Sequence, residues 1–216
     1  GGRHLDVTLQ DLAAAITVAE PSAELPAGTR SMVVDVDELP GLPALPVGDV
    51  APTTPAYMIF SSGSTGRPKG VVHAHKDLAA SIDGYSVEVL GLVPADRCHS
   101  VAKLFASLGF GNGFFRPLGR GATIVLFAGR PTVRSVMRVV ADHKVSVLTG
   151  VPTFWSQLAT FLERHDQPRP LADVRVAVSS GDSLPATVLS RMIERTGVEL
   201  LEGLGCSECS NIVLST

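Results

Sequence analysis

The densest chemistry in the chain lies in Ser61-Ser62-Gly63-Ser64-Thr65-Gly66-Arg67-Pro68-Lys69-Gly70. Gly63, Gly66 and Gly70 let the backbone reach positive φ and turn several N–H groups toward one anion. Ser61, Ser62, Ser64 and Thr65 add hydroxyl donors, and Lys69 adds a point charge. Such a set suits a polyphosphate, whose oxygens need many donors at once. It is not a Walker A loop, which requires Lys directly after the second Gly and then Ser or Thr; here Pro68 precedes Lys69 and Gly70 follows it. A flexible Gly/Ser linker has a similar composition, but the Lys-Pro placement and the apolar runs on both sides count against it.

Two smaller groups could also do chemistry. Cys206-x-x-Cys209 has the spacing of a zinc half-site or a redox pair. Zinc needs a second pair of ligands, for which Cys98 with His99 is the local candidate, and a thioredoxin-like motif opens a helix in an N-terminal βα unit. Small residues in a site turn explain the pair better. His73 and His75 would face one side of a strand, but they bring no carboxylate partner with them.

The elements that must hold these residues alternate in period. Short β-branched runs at Ala56–Phe60, Gly70–Val72, Ala122–Phe127, Val145–Leu148, Val174–Val178 and Val198–Leu201 read as strands, and 31–37 is also β-rich. Leu78, Ile82, Tyr85 and Val89 share a helical face, as do Val133, Val136, Met137 and Val140, and Phe154, Trp155, Leu158, Phe161 and Leu162. A further helix is predicted from Ser183 as N-cap through Val188, Leu189, Met192 and Ile193 to a stop at Gly197. Single helices between strands imply parallel βαβ units, so the predicted class is α/β with a mainly parallel sheet and flanking helices. Pro40, Pro43, Pro46, Pro52 and Pro55 mark 37–56 as an extended linker.

The string SSGSTGRPKGV resembles, nearly letter for letter, the phosphate-binding signature of the adenylate-forming superfamily of acyl- and aryl-CoA ligases, luciferases and peptide-synthetase adenylation domains. The resemblance implies that this loop grips the β- and γ-phosphates of ATP through its hydroxyls and Lys69. His75 also stands where members commonly carry a His. Further matches follow in order. Asp96–Phe127 is similar to the AKLF and G-x-G-N segment of benzoate-type ligases, and Gly150-Val151-Pro152-Thr153 to the G-V-P-T before a helix. Val178-Ser179-Ser180-Gly181-Asp182-Ser183-Leu184-Pro185 resembles the S-x-G-E-x-L-P turn that packs on adenine. Glu202-Gly203-Leu204-Gly205-Cys206-Ser207-Glu208 resembles the aryl-ligase G-x-G-S-T-E motif, which makes Ser207 the phosphate contact and Glu208 the Mg²⁺ ligand. Lys69, Ser207 and Glu208 are the implied catalytic residues.

In the superfamily, the stretch from Leu104 to Gly111 lines the acid pocket. Phe105, Ala106, Ser107, Leu108, Gly109 and Phe110 are therefore the expected acyl-pocket residues, with Gly181 and Gly203 completing the wall. Amino-acid-activating domains carry an Asp where Ala106 stands. Without that carboxylate an α-ammonium would be buried unpaired, at a cost of several kcal/mol, so amino acids are disfavoured. Leu108 replaces a larger aromatic residue and Ser107 adds a hydroxyl, which points to a substituted or bulkier aryl acid, or an aliphatic one.

The implied reaction is ATP-dependent activation of a carboxylic acid to its adenylate, with ATP, Mg²⁺ and CoA as cofactors. The thiol acceptor is CoA, or phosphopantetheine on a carrier protein if the domain serves a polyketide or peptide synthase. A non-catalytic nucleotide-binding module is the third reading; the intact Lys69, Ser207 and Glu208 weigh against it. Residues 1–55 read as a shortened N-terminal segment with a Pro-rich linker, and 56–216 as an AMP-binding subdomain. The ribose-binding Asp and the small C-terminal domain of the superfamily would fall beyond Thr216, so the 216 residues alone are expected to turn over negligibly.

Composition narrows the partners. With 45% hydrophobic and 18% charged residues the chain is too apolar to be disordered. Eighteen Lys and Arg against 21 Asp and Glu, net −3, leave no basic patch for a nucleic acid or a membrane surface. The longest uncharged apolar stretch, Leu104–Phe115, is short of a membrane span and broken by glycines. Three cysteines in this length predict reduced thiols and a cytoplasmic setting.

Overall fold

A computed structural model of the chain describes residues 17–19, 31–33, 48–61, 68–165 and 171–216. The chain divides into two units, Gly1–Val50 with Ser62–Lys69, and Ala51–Ser61 with Gly70–Thr216. In the first unit β1 (Thr17–Ala19) and β2 (Ser31–Val33) pair in parallel, with Val18 opposite Met32. The β-rich stretch predicted at 31–37 is a strand over 31–33. The rest of it, the linker as far as residue 47, and Ser62, Gly63, Ser64, Thr65 and Gly66 lie outside the described residues.

Strands β3 (Pro55–Ser61) and β4 (Lys69–Ala74) pair with each other. The chain then runs through helix α1 (His75–Ser81), a π-helical stretch Ile82–Val89, and β5 (Arg97–Ser100). Next comes α2 (Ser107–Phe110), continued by a π-helical Gly111–Phe115 and α3 (Arg116–Gly119). The elements that follow are β6 (Thr123–Ile124), α4 (Val133–His143), β7 (Val147–Gly150), α5 (Pro152–Arg164), β8 (Val176–Ser180), α6 (Ala186–Thr196), β9 (Glu199–Cys206) and β10 (Asn211–Ser215). Among the described residues the main sheet has the order β10-β9-β8-β7-β5-β6, parallel throughout except for β10. This is the predicted α/β class.

Every residue of β7 and β8 is buried, as expected for parallel strands covered on both faces. Successive side chains enter opposite cores. Leu148, Ala177 and Leu200 join Val136, Trp155, Leu158 and Met192 under α4, α5 and α6. Val147, Val176, Val178 and Leu201 join Tyr85, Leu90 and Leu92 on the other face. Trp155 and Leu158 are fully enclosed, so the helical face predicted around them is the one that packs on the sheet.

Three sequence expectations shift. Helix α6 begins at Ala186 with Pro185 at its N-cap, and Ser183 does not cap it. The residue before a proline is kept out of helical geometry. Leu184 is instead buried, and its amide donates to Glu202 Oε1 at 3.0 Å. The stop at Gly197 holds, with φ +66° and its amide on Ile193 O at 2.8 Å. Strand β5, which lies between β7 and β6 in the sheet, was not predicted, because Arg97, His99 and Ser100 hide its pattern. Strand β6 is shorter than the predicted Ala122–Phe127, although Val125 N still reaches Cys98 O at 2.8 Å.

A buried carboxylate ties the N-terminal edge of the sheet together. Asp96 takes a bidentate contact from Arg175, Nε to Oδ1 at 2.9 Å and Nη2 to Oδ2 at 2.7 Å. It also accepts from Ser146 Oγ at 2.7 Å and Val93 N at 3.0 Å. Burial pushes its pKa up, but Arg175, Val93 and Ser146 together outweigh that and hold it below the usual carboxylate range. A carboxyl with a lowered folded pKa contributes stability above its unfolded pKa of about 3.9, and the contribution is lost as pH falls through the folded value. Asp96→Asn is therefore expected to cost roughly 2–3 kcal/mol at pH 7, below the figure for fully buried pairs because Arg175 retains access to water. The deficit should shrink at pH 3 in urea titrations; an equal deficit at both pH values would contradict this ion-pair role.

Candidate functional site

Because β5, β7, β8 and β9 run in parallel, their carboxyl ends share one edge of the sheet. The chain leaves β5 for β6 on one side and returns to β7 on the other, so the order reverses beside β5. Ligands of open parallel sheets bind outside the carboxyl ends near such a reversal. Three predicted segments emerge at this edge: 101–110 after β5, Gly181–Pro185 after β8, and Ser207–Ser210 after β9.

A cavity of about 660 Å³ is lined by Gly181, Asp182, Ser183, Glu202, Gly203, Leu204, Gly205, Leu214, Ser215 and Thr216. It gathers Gly181, Asp182 and Ser183 of the turn that the resemblance packs on adenine and Glu202, Gly203, Leu204 and Gly205 of the adjoining motif. Gly181 sits at φ +99°, which a side chain would strain. The three glycines leave bare backbone, while Leu204 and Leu214 stand 64% and 67% exposed. A flat apolar ring with a polar rim fits such a slot, with Asp182 and Ser183 at its edge. Glu202 shapes the slot: its carboxylate holds the Leu184 amide, and its backbone N–H and C=O meet Thr216 Oγ1 at 3.0 Å and Thr216 N at 3.1 Å.

Ser207 and Glu208 lie in the turn joining β9 to β10, which Ser210 N closes on Ser207 O at 3.1 Å. Glu208 is exposed and Ser207 half-buried. No group of three His, Cys, Asp or Glu that could cage a metal exists among the described residues. A single carboxylate fits Mg²⁺, which takes one or two carboxylates and completes its shell with phosphate oxygens and water. Cys206 and Cys209 are free and exposed, and the neighbouring Cys206 thiol pushes the pKa of Cys209 up. Cys98 is buried, and that burial followed by the charge of Asp96 pushes its thiol up to about 12, leaving it inert.

Residues that the sequence reading missed hold this turn. Arg116, only 2% exposed, donates from Nη2 to Ser210 O at 2.9 Å, from Nε and Nη2 to Ser81 Oγ at 3.0 Å, and from Nη1 to Asn112 Oδ1. Its guanidinium lies 5.4 Å from the ring centres of both Tyr85 and Phe115. Burial lowers its pKa to about 10, against the opposing pull of Tyr85 and Tyr57, so it stays charged at neutral pH. Tyr57 on β3 hydrogen-bonds Ser210 Oγ, and His73 on β4 donates from Nε2 to Ser207 O at 2.8 Å. The two rings stack at 4.9 Å. The signal available in the sequence was an arginine inside the apolar run GFFRPL.

The predicted acyl-pocket residues do not share one cavity. Ser107 and Leu108 border a space of about 60 Å³ with Arg116, Gly181, Gly205, Cys206 and Ile212. Phe105, 86% exposed, borders a separate cavity of about 390 Å³ with His99, Val101, Leu104, Val125 and Phe127. Ala106, Gly109 and Phe110 line neither. Gly109 is fixed by crowding, since a Cβ there would stand 2.1 Å from Lys103 O. Phe110 packs instead against Tyr57 and Phe115, at 5.1 and 5.3 Å between ring centres. Of the phosphate-loop set, Ser61 ends β3 half-buried and Lys69 begins β4 exposed. No helix among the described residues is long and apolar enough to cross a membrane.

Comparison with known proteins places these features in a family. Residues 5–216 match the family model described as AMP-binding enzyme. The benzoate–CoA ligase of Thauera aromatica is 40% identical over 171 residues, 77% of this chain and 32% of the relative. The 4-hydroxybenzoate–CoA/benzoate–CoA ligase of Rhodopseudomonas palustris is 36% identical over 161 residues, 74% of this chain and 29% of the relative. The crystal structure of a benzoate CoA ligase from Burkholderia xenovorans LB400 superposes with a TM-score of 0.86 at 28% identity, covering all of this chain and 45% of that one. The chain spans about a third of the length of the curated relatives it matches. A family match over nearly the whole chain, on the same α/β fold, means that the chain belongs to the AMP-binding enzyme family.

Proposed function

We propose that the chain forms part of an acid–thiol ligase that activates an aryl carboxylic acid as its adenylate and passes the acyl group to CoA. The observation that carries this reading is the single cavity formed by Gly181–Ser183 and Glu202–Gly205, supported by relatives named as benzoate and hydroxybenzoate CoA ligases.

When bound, ATP supplies an electrophilic α-phosphorus and pyrophosphate as leaving group, and Mg²⁺ spreads the charge on the phosphates. The chain's residues must solve an electrostatic problem, because a carboxylate approaching a phosphate brings two anions together. Gly181, Gly203 and Gly205 leave room for the base, and Asp182 and Ser183 offer polar groups to its edge. Ser61, Ser62, Gly63, Ser64, Thr65 and Gly66 supply hydroxyls and amides for phosphate oxygens, and Lys69 a fixed positive charge. Ser207 donates its hydroxyl to phosphate. Glu208 provides the single carboxylate that Mg²⁺ needs. One bond forms, from the acid's carboxylate oxygen to phosphorus, and one breaks, from phosphorus to the pyrophosphate oxygen. A thiolate of CoA then displaces AMP at the acyl carbon.

Lys69→Ala and Glu208→Gln in the full-length protein should each lower carboxylate-dependent ATP–pyrophosphate exchange by about 100-fold or more. Wild-type exchange in either variant would refute the role given to that residue. Leu108 borders a space well below the roughly 150 Å³ void that takes up a benzene ring, so it limits the ring that can sit there. Leu108→Ala should favour para-substituted benzoates over benzoate in kcat/KM by about tenfold. An unchanged preference across an aryl-acid panel would place the acid elsewhere.

A further inference from the structure

We infer that Arg116, Tyr57 and His73 are positioning residues that lock the Ser207–Ser210 turn and so fix where Glu208 points; this rests on the role proposed for Glu208. The turn is short, carries exposed Cys209 beside Glu208, and turns through Ser210 at φ +49°, a conformation that non-glycine residues seldom adopt. Ser210 N closes it on Ser207 O at 3.1 Å, and the β9–β10 ladder flanks it at Cys206 and Asn211. Further restraint comes from outside.

Both ends of the turn are held through backbone carbonyls. His73 Nε2 donates to Ser207 O at 2.8 Å, and Arg116 Nη2 to Ser210 O at 2.9 Å. Tyr57 adds a hydrogen bond to Ser210 Oγ. The anchors are themselves fixed. Arg116 is held by Ser81 and by Asn112, one helical turn earlier, and lies against two aromatic rings. Tyr57 is wedged between His73 and Phe110, with ring centres at 4.9 and 5.1 Å. A charge-assisted bond from a buried guanidinium is stronger than a neutral one and is not exchanged for water. Its planar fork also fixes direction, which a lysine on the same helix would not do. On the turn the anchors hold the Ser207 and Ser210 carbonyls and the Ser210 hydroxyl, and Arg116 also borders the small space beside Leu108. A group held within about 0.5 Å of its working position needs such support.

The test uses full-length protein carrying Arg116→Met, Tyr57→Phe or Glu208→Gln. Tyr57→Phe removes one hydroxyl and keeps the ring stack, so it remains informative should Arg116→Met fail to fold. Hydrogen exchange read by mass spectrometry compares residues 204–212 with the buried reference 147–162. Faster exchange by about tenfold in 204–212 alone is expected in the anchor variants. It should accompany a lower kcat for pyrophosphate exchange, and in Tyr57→Phe, which does not border the space beside Leu108, KM for the carboxylic acid should stay within about twofold. Unchanged exchange in 204–212 overturns the proposal, and so does equal acceleration in both regions, which would mark a general stability effect. Glu208→Gln separates the two ideas. Full activity there removes the role of Glu208, whereas an inactive Glu208→Gln beside fully active anchor variants removes only the lock.

Discussion

A parallel sheet covered on both faces leaves only its strand ends for chemistry. Val147 and Leu148, adjacent in sequence, are committed to opposite cores, and the same holds for Val176 with Ala177 and for Leu200 with Leu201. Nothing on those faces can be spared for a ligand without unpacking a helix. The carboxyl edge is different, because the backbone there must leave the ladder and expose polar groups. The segments after β5, β8 and β9 all depart at that edge, and the 660 Å³ cavity forms between the segment after β8 and Glu202–Gly205 of β9.

Two buried electrostatic centres serve different ends of this sheet. At the amino edge, Asp96 and Arg175 join the loop before β5 to β8, a contact that maintains the register of the framework. At the carboxyl edge, Arg116 reaches from a helix to the β9–β10 turn. It donates there to oxygens of Ser81, Asn112 and Ser210. The first centre concerns stability; the second concerns the placement of a few atoms.

Much of this was legible in the sequence wherever one local signal dominated. The apolar residues that open β7 and β8, Val147 with Leu148 and Val176 with Ala177 and Val178, and the helical face of Phe154, Trp155 and Leu158 survive folding because burial alone decides them. Gly197 ends its helix because only its backbone has the freedom for φ +66°. Legibility failed where a long-range contact overrode the local one. Strand β5 is polar in sequence, yet His99 satisfies Nδ1 on Val125 O at 2.8 Å and is buried. Ser183 looks like a cap, but Pro185 and the pull of Leu184 into the core move the helix start. Phe105 and Leu108 are three residues apart and look like one pocket wall, yet the turn into α2 sends them to separate cavities. Arg116 could be noticed in the sequence, but its partner at Ser210, 94 residues away, could not.

The placement of the nucleotide is tested most directly by photolabelling the full-length protein with 8-azido-ATP in the presence of Mg²⁺ and mapping the labelled peptides, with and without excess ATP. Label on 181–183, 202–205 or 214–216 that excess ATP suppresses is the predicted result. ATP-sensitive label on 99–105 or 125–131 instead, in the cavity beside Phe105, would contradict it.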